Sequence, residues 1–288
     1  MNDKPRIAVI GGSGLYTMEG FKVLDSHQPN TPFGKPSSPI LLGELAGRPV
    51  AFLTRHGIGH TIAPSQVNYR ANIYALKTLG VERILSVSAC GSLREDYAPG
   101  EIVIPNQLYD HTTNRARSFF DGDLVAHISV AEPFCEDLSN HVQASIEAVE
   151  GRVHRGGSYI TIEGPRFSTR AEANTYRAWG MSIVGMTTSP EAFLAREAEM
   201  CYSVMAHVTD YDVWHHSEDP VTAEMVFDLI KRNTTLAQQA VWNLLESLPE
   251  ERNCSCPQAL KAALLTHPEH VSKETRERLA PLVGRYLG

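Results

Sequence analysis

The run VTDYDVW, residues 208–214, places Asp210 and Asp212 two positions apart at the end of the apolar stretch CYSVMAHV. In an extended segment residues two apart point to the same side, so both carboxylates can meet the edge of one ligand. Two carboxyl groups held together out of water resist double ionisation, which raises the proton affinity of the pair. Such a pair can donate a proton while accepting a hydrogen bond, as a general acid that also reads a polar edge must. An exposed turn with solvated carboxylates is the plain alternative. A calcium loop fails for want of further oxygen ligands at regular spacing and of a closing glutamate.

Other residues have the chemistry of an anion site. Arg55 and His56 follow the apolar run VAFL, at the end of a predicted strand, where α/β folds collect ligands. The arginine offers charge and a donor fork, and the histidine can add another donor. His60, four residues on, is less distinctive and reads equally as a packed or surface histidine. In the opening IGGSGLY, residues 10–16, Ser13 stands among glycines whose backbone N–H groups can face a small anion. The dinucleotide fingerprint is absent: with Gly12 and Gly14 as its first two glycines, Thr17 stands where the third belongs. SVSACGSL, residues 86–93, adds Ser88 and the backbone of Ala89 at another strand end.

Alternating elements must position these groups. RIAVI (residues 6–10), RILSVSAC, EIVIP, MSIVGM and CYSVMAHV are strand candidates, and helices are predicted over 65–79, 136–150 and 222–248. TRAE, residues 169–172, has capping-box spacing, and SPEAF from Ser189 reads as an N-cap followed by proline. The alternation predicts an α/β fold, a mixed central sheet with helices on both faces. A boundary near LPEERNCSCP predicts a main catalytic domain over 1–250 and a helical extension over 251–288, packed on that domain or on a neighbouring subunit.

With 288 residues, 42% of them hydrophobic, the chain can bury a substantial core. A net charge of −7 disfavours non-specific attraction to nucleic acid. No run is long enough to span a membrane and the N-terminus lacks a secretory pattern, so the expected location is the cytoplasm. Its five cysteines, at 90, 135, 201, 254 and 256, are then expected as reduced thiols. The one-residue spacing in CSC, with no second pair at a finger-like distance, argues against zinc and leaves a labile redox pair open.

Taken in order, GGSGL, TPFGKPS, RHG with His60, VNYRANI, SACGSLRE, AEPFC, TIEGPRFSTRAE, GMTTSPE and TDYDVW resemble the 5'-methylthioadenosine phosphorylases of the trimeric purine nucleoside phosphorylase group. The resemblance runs from residue 6 to about 247 and weakens beyond 250. It implies a purine nucleoside phosphorylase-like fold and reversible phosphorolysis of methylthioadenosine to adenine and 5-methylthioribose 1-phosphate, in purine and methionine salvage. Phosphate is the nucleophile and a co-substrate, so neither a cofactor nor a metal is expected.

By resemblance, Ser13, Arg55, His56, Ser88, Ala89 and Thr187 bind phosphate, Ala89 through its backbone. Met186 lies beside the sugar, Phe167 packs on the purine, and His127 reaches the 5' end of a substrate from a neighbouring subunit. Ala223, Val226 and Phe227 make an apolar wall for the methylthio group; Ala223 is smaller than the residue common in the family, which leaves adenosine as a secondary substrate. Asp210 donates to purine N7, and Asp212 orients that proton or accepts from the 6-amino group. Phosphorylases of 6-oxopurines carry glutamate and asparagine where this chain has Ser168 and Asp210, so oxopurines are disfavoured. A homotrimer with sites near its interfaces is implied, with a dimer of trimers open. The rival readings are a hydrolytic nucleosidase, which would not need phosphate, and a nucleotide-binding regulatory module, which would form no product.

Overall fold

A computed structural model describes residues 4–12, 15, 18–215 and 223–287, with the backbone alone over 223–233. In chain order the elements are β1 (Ile7–Gly11), β2 (Lys22–His27), β3 (Ile40–Leu45), β4 (Arg48–Thr54), α1 (Tyr69–Thr78), β5 (Arg83–Ser92), β6 (Ile102–Ile104) and β7 (Gln107–His111). There follow α2 (Glu136–Glu147), β8 (Val153–Arg155), β9 (Ser158–Ile162), α3 (Arg170–Ala178), β10 (Ile183–Gly185), α4 (Thr188–Glu197), β11 (Cys201–Asp210), α5 (Ala223–Ser247) and α6 (Lys273–Leu287). The expected mixed sheet flanked by helices is present.

The strands run β2-β3-β4-β1-β5-β10-β9-β7, with β11 added to β5, β6 to β11, and β8 to β6. The apolar runs become its centre because both faces are covered: β1 is buried throughout, and β11 at every position but the last. β5 joins the parts. It pairs parallel with β1 as far as Ile10 opposite Ser86, parallel with β11 along its length, and antiparallel with β10 only from Gly91. Among the described residues, 87–90 therefore have no strand partner on the β1 side, and the sheet opens there, as at the switch points where α/β folds bind ligands.

Local chemistry sets the helix ends. Thr169 and Glu172 form the expected capping box at α3. The helix predicted from residue 65 begins later, because Pro64–Gln66 close a single 3-10 turn and the Asn68 side chain accepts from the Ala71 N–H as the true cap of α1. Ser189, with φ −100° and ψ 136°, is not helical, so the regular part of α4 starts at Pro190.

Beyond residue 250 the chain folds as two 3-10 turns and α6. Leu260, Val271, Leu279 and Val283 are buried in one apolar cluster with Ile73, Leu76, Ala195 and Met200. The Tyr74 hydroxyl donates to Arg278 O, and Arg83 donates to the carbonyls of Glu250 and Glu251. Spacing in CSC is a poor guide to its surroundings, since the fold brings Cys135, before α2, and Cys201, at the start of β11, to Cys254 and Cys256. All four sulfurs lie within 4.8 Å of one another. No helix among the described residues is long and apolar enough to cross a membrane.

Candidate active site

The opening beside β5 is built around Arg55, which is almost fully buried after β4. Its Nε and Nη2 donate to the two oxygens of Glu191 on α4 at 2.9 and 3.0 Å. Nη2 also donates to Ser86 Oγ at 2.7 Å and Ile10 O at 3.3 Å, and Nη1 to Val87 O at 3.2 Å. The guanidinium thus serves the carbonyls left where β1 and β5 part. Burial works against its charge, but the Glu191 carboxylate more than offsets this and the Arg55 pKa is raised. Five N–H groups in a planar fork leave one Nη1 proton for a ligand.

His56 follows directly. Its Nδ1 lies 2.9 Å from Ile62 O, a group that can only accept, so Nδ1 carries the proton. Burial and the adjacent Arg55 push its pKa down to about 4, and its ring stacks on His60 at 4.3 Å between centroids. His56 is neutral near pH 7 and its Nε2 accepts, which revises the expectation of a second donor: it suits the P–OH of monohydrogen phosphate.

Ser88 and Ala89 stand in the stretch of β5 unpaired towards β1, and the Ser88 hydroxyl is buried without a hydrogen-bond partner. Thr187, buried ahead of α4, makes no capping hydrogen bond through its side chain. Ser88 adjoins Val87, whose carbonyl Arg55 holds, and Thr187 stands just ahead of the helix that carries Glu191, so both hydroxyls come from segments that meet the arginine. Ser13 lies outside the described residues, as do the side chains of Ala223, Val226 and Phe227.

The carboxylate pair sits at the end of β11, with Asp210 its last residue and Asp212 two positions on. A bulge between Val208 and Asp210 turns the strand, and Asp212 adopts the left-handed φ of +50° at the head of a 3-10 turn. The two aspartates therefore do not share one extended strand. They converge through a side-chain turn in which the Asp212 N–H donates to Asp210 Oδ1 at 2.7 Å. Thr209 Oγ1 lies 2.6 Å from Asp210 Oδ2 and 3.2 Å from Cys90 O. The Thr209 hydroxyl donates in the shorter contact, which works against the rise that burial gives the Asp210 pKa.

Asp212 is buried with Oδ2 unpartnered, and burial followed by the Asp210 charge pushes its pKa up to about 6. Asp210 is raised by burial as well. The Ser168 hydroxyl lies close to Asp212 without completing a hydrogen bond. Gly91 backs the pair: a Cβ there would stand 2.9 Å from Asp210 Oδ1, 3.2 Å from Val184 and 3.3 Å from the Asp212 Cβ.

Met186 follows β10, with its sulfur against Gly164 of the GPRFS loop. Phe167, on that loop, leaves its ring exposed as an open stacking surface. His127 is exposed beside the C-terminal extension, where its N–H donates to Ala263 O. Among the described residues, no hydrogen bond or ring contact brings it to the aspartates.

Sequence reasoning missed Glu191 and Arg115. Arg115, buried, donates to Tyr69 Oη, Met186 O, Ser189 O, Glu163 O and Glu163 Oε1, tying three site-bearing loops together. One of two arginines in the polar run TTNRARS, Arg115 carries no local signal of this.

A profile of the phosphorylase superfamily matches residues 6–246. The chain is 51% identical over 282 residues to the S-methyl-5'-thioadenosine phosphorylase of Geobacter sulfurreducens, covering 98% of this chain and 99% of that protein. Among solved structures it is similar to a methylthioadenosine phosphorylase from an antarctic soil metagenomic library, with a TM-score of 0.92, 46% identity and coverage of 96% and 98%. It also resembles a mutant of the adenosine/methylthioadenosine phosphorylase of Schistosoma mansoni in complex with methylthioadenosine, with a TM-score of 0.83, 37% identity and coverage of 90% and 96%.

Proposed function

The chain belongs to the phosphorylase superfamily, and on that footing we propose that it is an enzyme catalysing phosphate-dependent, reversible cleavage of 5'-methylthioadenosine to adenine and 5-methylthioribose 1-phosphate. Near-full-length identity of about one half to S-methyl-5'-thioadenosine phosphorylases supports the substrate. The observation that supports the chemistry is that β5 carries Ser88, whose buried hydroxyl has no hydrogen-bond partner, three residues before Gly91, against which Asp210 and Asp212 both pack.

Phosphate is held by Arg55, His56, Ser88, the Ala89 backbone, Thr187 and Ser13. One of its oxygens attacks C1' as the bond from C1' to purine N9 breaks, and the bonding pair leaves on adenine. Positive charge develops on the sugar between, where the bound phosphate stabilises it. Asp210 gives its proton to N7 of the departing base, and Asp212 orients that proton and accepts from the 6-amino group. Phe167 stacks on the purine and Met186 lines the sugar. Ser168, where a glutamate would meet a 6-oxopurine, leaves the aminopurine reading to the aspartates. Val226 and Phe227 are assigned to the methylthio group, and the small size of Ala223 makes adenosine the second substrate to test.

This chemistry calls for inorganic phosphate as co-substrate and for no cofactor. The reaction serves purine and methionine salvage in the cytoplasm. The enzyme works as a homotrimer in which His127 of one subunit serves the site of the next. The exposed ring of Phe167 supports that reading, as does the exposure of His127 away from the aspartates of its own chain.

The test is product formation from methylthioadenosine, methylthioinosine and adenosine, each with and without phosphate. Phosphate-dependent adenine release with methylthioribose 1-phosphate is expected. Release without phosphate would instead make the protein a nucleosidase, and preference for methylthioinosine would overturn the roles of Asp210 and Asp212. Sedimentation of the native protein checks the trimer.

A further inference from the structure

Opposite in character to the polar site, a cluster of four thiols lies under the C-terminal extension. Cys135 occupies the N-cap position of α2, Cys201 opens β11, and Cys254 and Cys256 come from the segment after α5. The four sulfurs lie within 4.8 Å of one another, and Cys201 and Cys254 approach to 3.4 Å. Cys135, Cys201 and Cys256 are buried and Cys254 is half-buried. A tetrahedral zinc–thiolate centre, with bonds of about 2.3 Å, needs every pair of sulfurs about 3.8 Å apart. Buried cysteines acting only as small apolar residues have no reason to converge four at a time from three remote parts of the chain.

The surroundings are those of an anionic centre. Arg196 on α4 reaches Cys256 Sγ with Nη1 at 3.4 Å. Arg83 at the start of β5 is buried opposite Cys201 on the neighbouring strand, and its Nε has no hydrogen-bond partner. Four thiolates on a divalent ion carry a net charge of −2, and two guanidinium groups stand beside them to offset it. Cys135, Cys201 and Cys256 belong to the same buried apolar cluster as Leu138, Leu245 and Leu248, where thiolates are costly without a cation.

We propose that Cys135, Cys201, Cys254 and Cys256 bind one zinc ion as a closed structural site that fastens residues 251–260 to α2 and β11. Each sulfur gives up its proton to solvent as it ligates, with no change of oxidation state. The centre is independent of phosphorolysis and takes no part in it, since all four coordination positions are filled by protein.

The full-length protein, purified under reduction without chelator, is expected to contain about one zinc per chain. The C254S/C256S double variant should lose the metal, keep its turnover of methylthioadenosine at low temperature, and unfold at lower temperature than the parent. Replacing zinc with Co2+ should produce thiolate-to-cobalt charge-transfer absorption together with the visible bands of a tetrahedral cobalt site. These spectra do not depend on activity, so the metal site can fail while the phosphorylase reading stands, and the reverse. The proposal is overturned if reduced protein exposed to Zn2+ and desalted retains none, or if the native protein lacks metal and its mass shows the four thiols joined as disulfides.

Discussion

At the residue scale, function rests on a small set of groups whose ionisation is set by their burial. Asp210 and Asp212 share a desolvated corner: burial raises both, and the Asp210 charge raises Asp212 further. Asp210→Asn removes the proton donor and presents an amide to position 6 of the purine. A fall of roughly 10²- to 10⁴-fold in kcat/KM for methylthioadenosine is expected, with preference moving towards 6-oxopurines. Steady-state kinetics with both base classes checks this, and unchanged selectivity would count against the base-reading role. The pH dependence has a definite sign. With Asp212 raised to about 6, the proton-bearing form of the free enzyme dominates below that pH. Phosphorolytic kcat/KM should therefore decline on the alkaline side, by about tenfold per pH unit well above the apparent pKa of the pair. A profile flat from pH 6 to 9 would remove the pair from the acid step. The residue types were legible: Arg55, His56, Ser88, Asp210 and Asp212 were all singled out from the sequence. The protonation of His56 was not, because it depends on Ile62 O and on the closeness of Arg55.

At the scale of elements, the site is a consequence of where β5 changes partners. Strand β5 leaves β1 after Ser86 and takes up β10 only at Gly91, and the bulge in β11 sits opposite this point. Gly91 is the β5 residue against which both aspartates pack. A methyl group there would press on an Asp210 oxygen that the Asp212 N–H already holds, and on Val184 of β10. Gly91→Ala is expected to cost about 1–3 kcal/mol of stability through overpacking. It should lower kcat for methylthioadenosine while leaving KM for phosphate within about threefold, because a small misplacement of a reacting group lowers rate steeply. Equal damage to both parameters would show that the strand has moved as a whole. The strands were legible from their apolar runs and the α3 start from its capping box. The bulge and the left-handed Asp212 were not, since both depend on pairing with a strand more than a hundred residues earlier.

At the scale of the molecule, residues 251–287 complete the core. Leu260, Leu279 and Val283 are fully or almost fully buried against α1 and the α4–β11 connection, so the apolar surface under them would meet water if they were removed. A chain stopped after Leu248 is expected to be insoluble or molten, with 8-anilinonaphthalene sulfonate binding and loss of near-ultraviolet circular dichroism as the readouts. A monomer of parental stability would show the extension to be an accessory. The predicted boundary near residue 250 marks a change in sequence character, while the packing crosses it freely.

The order of apolar runs and turn residues was enough for an α/β scaffold, since periodicity and capping are local properties of the chain. The residue types able to hold an anion and a proton were likewise present in the sequence, as were the motifs that carry the resemblance to methylthioadenosine phosphorylases. What tertiary structure decided are the relations among distant segments. Glu191 neutralises Arg55 across 136 positions, Arg115 gathers three loops, and the sulfurs of Cys135, Cys201, Cys254 and Cys256 meet under the extension. Each is an interaction between groups whose own neighbours in sequence are ordinary. Its strength comes from burial and proximity, and the chain acquires both only when it folds.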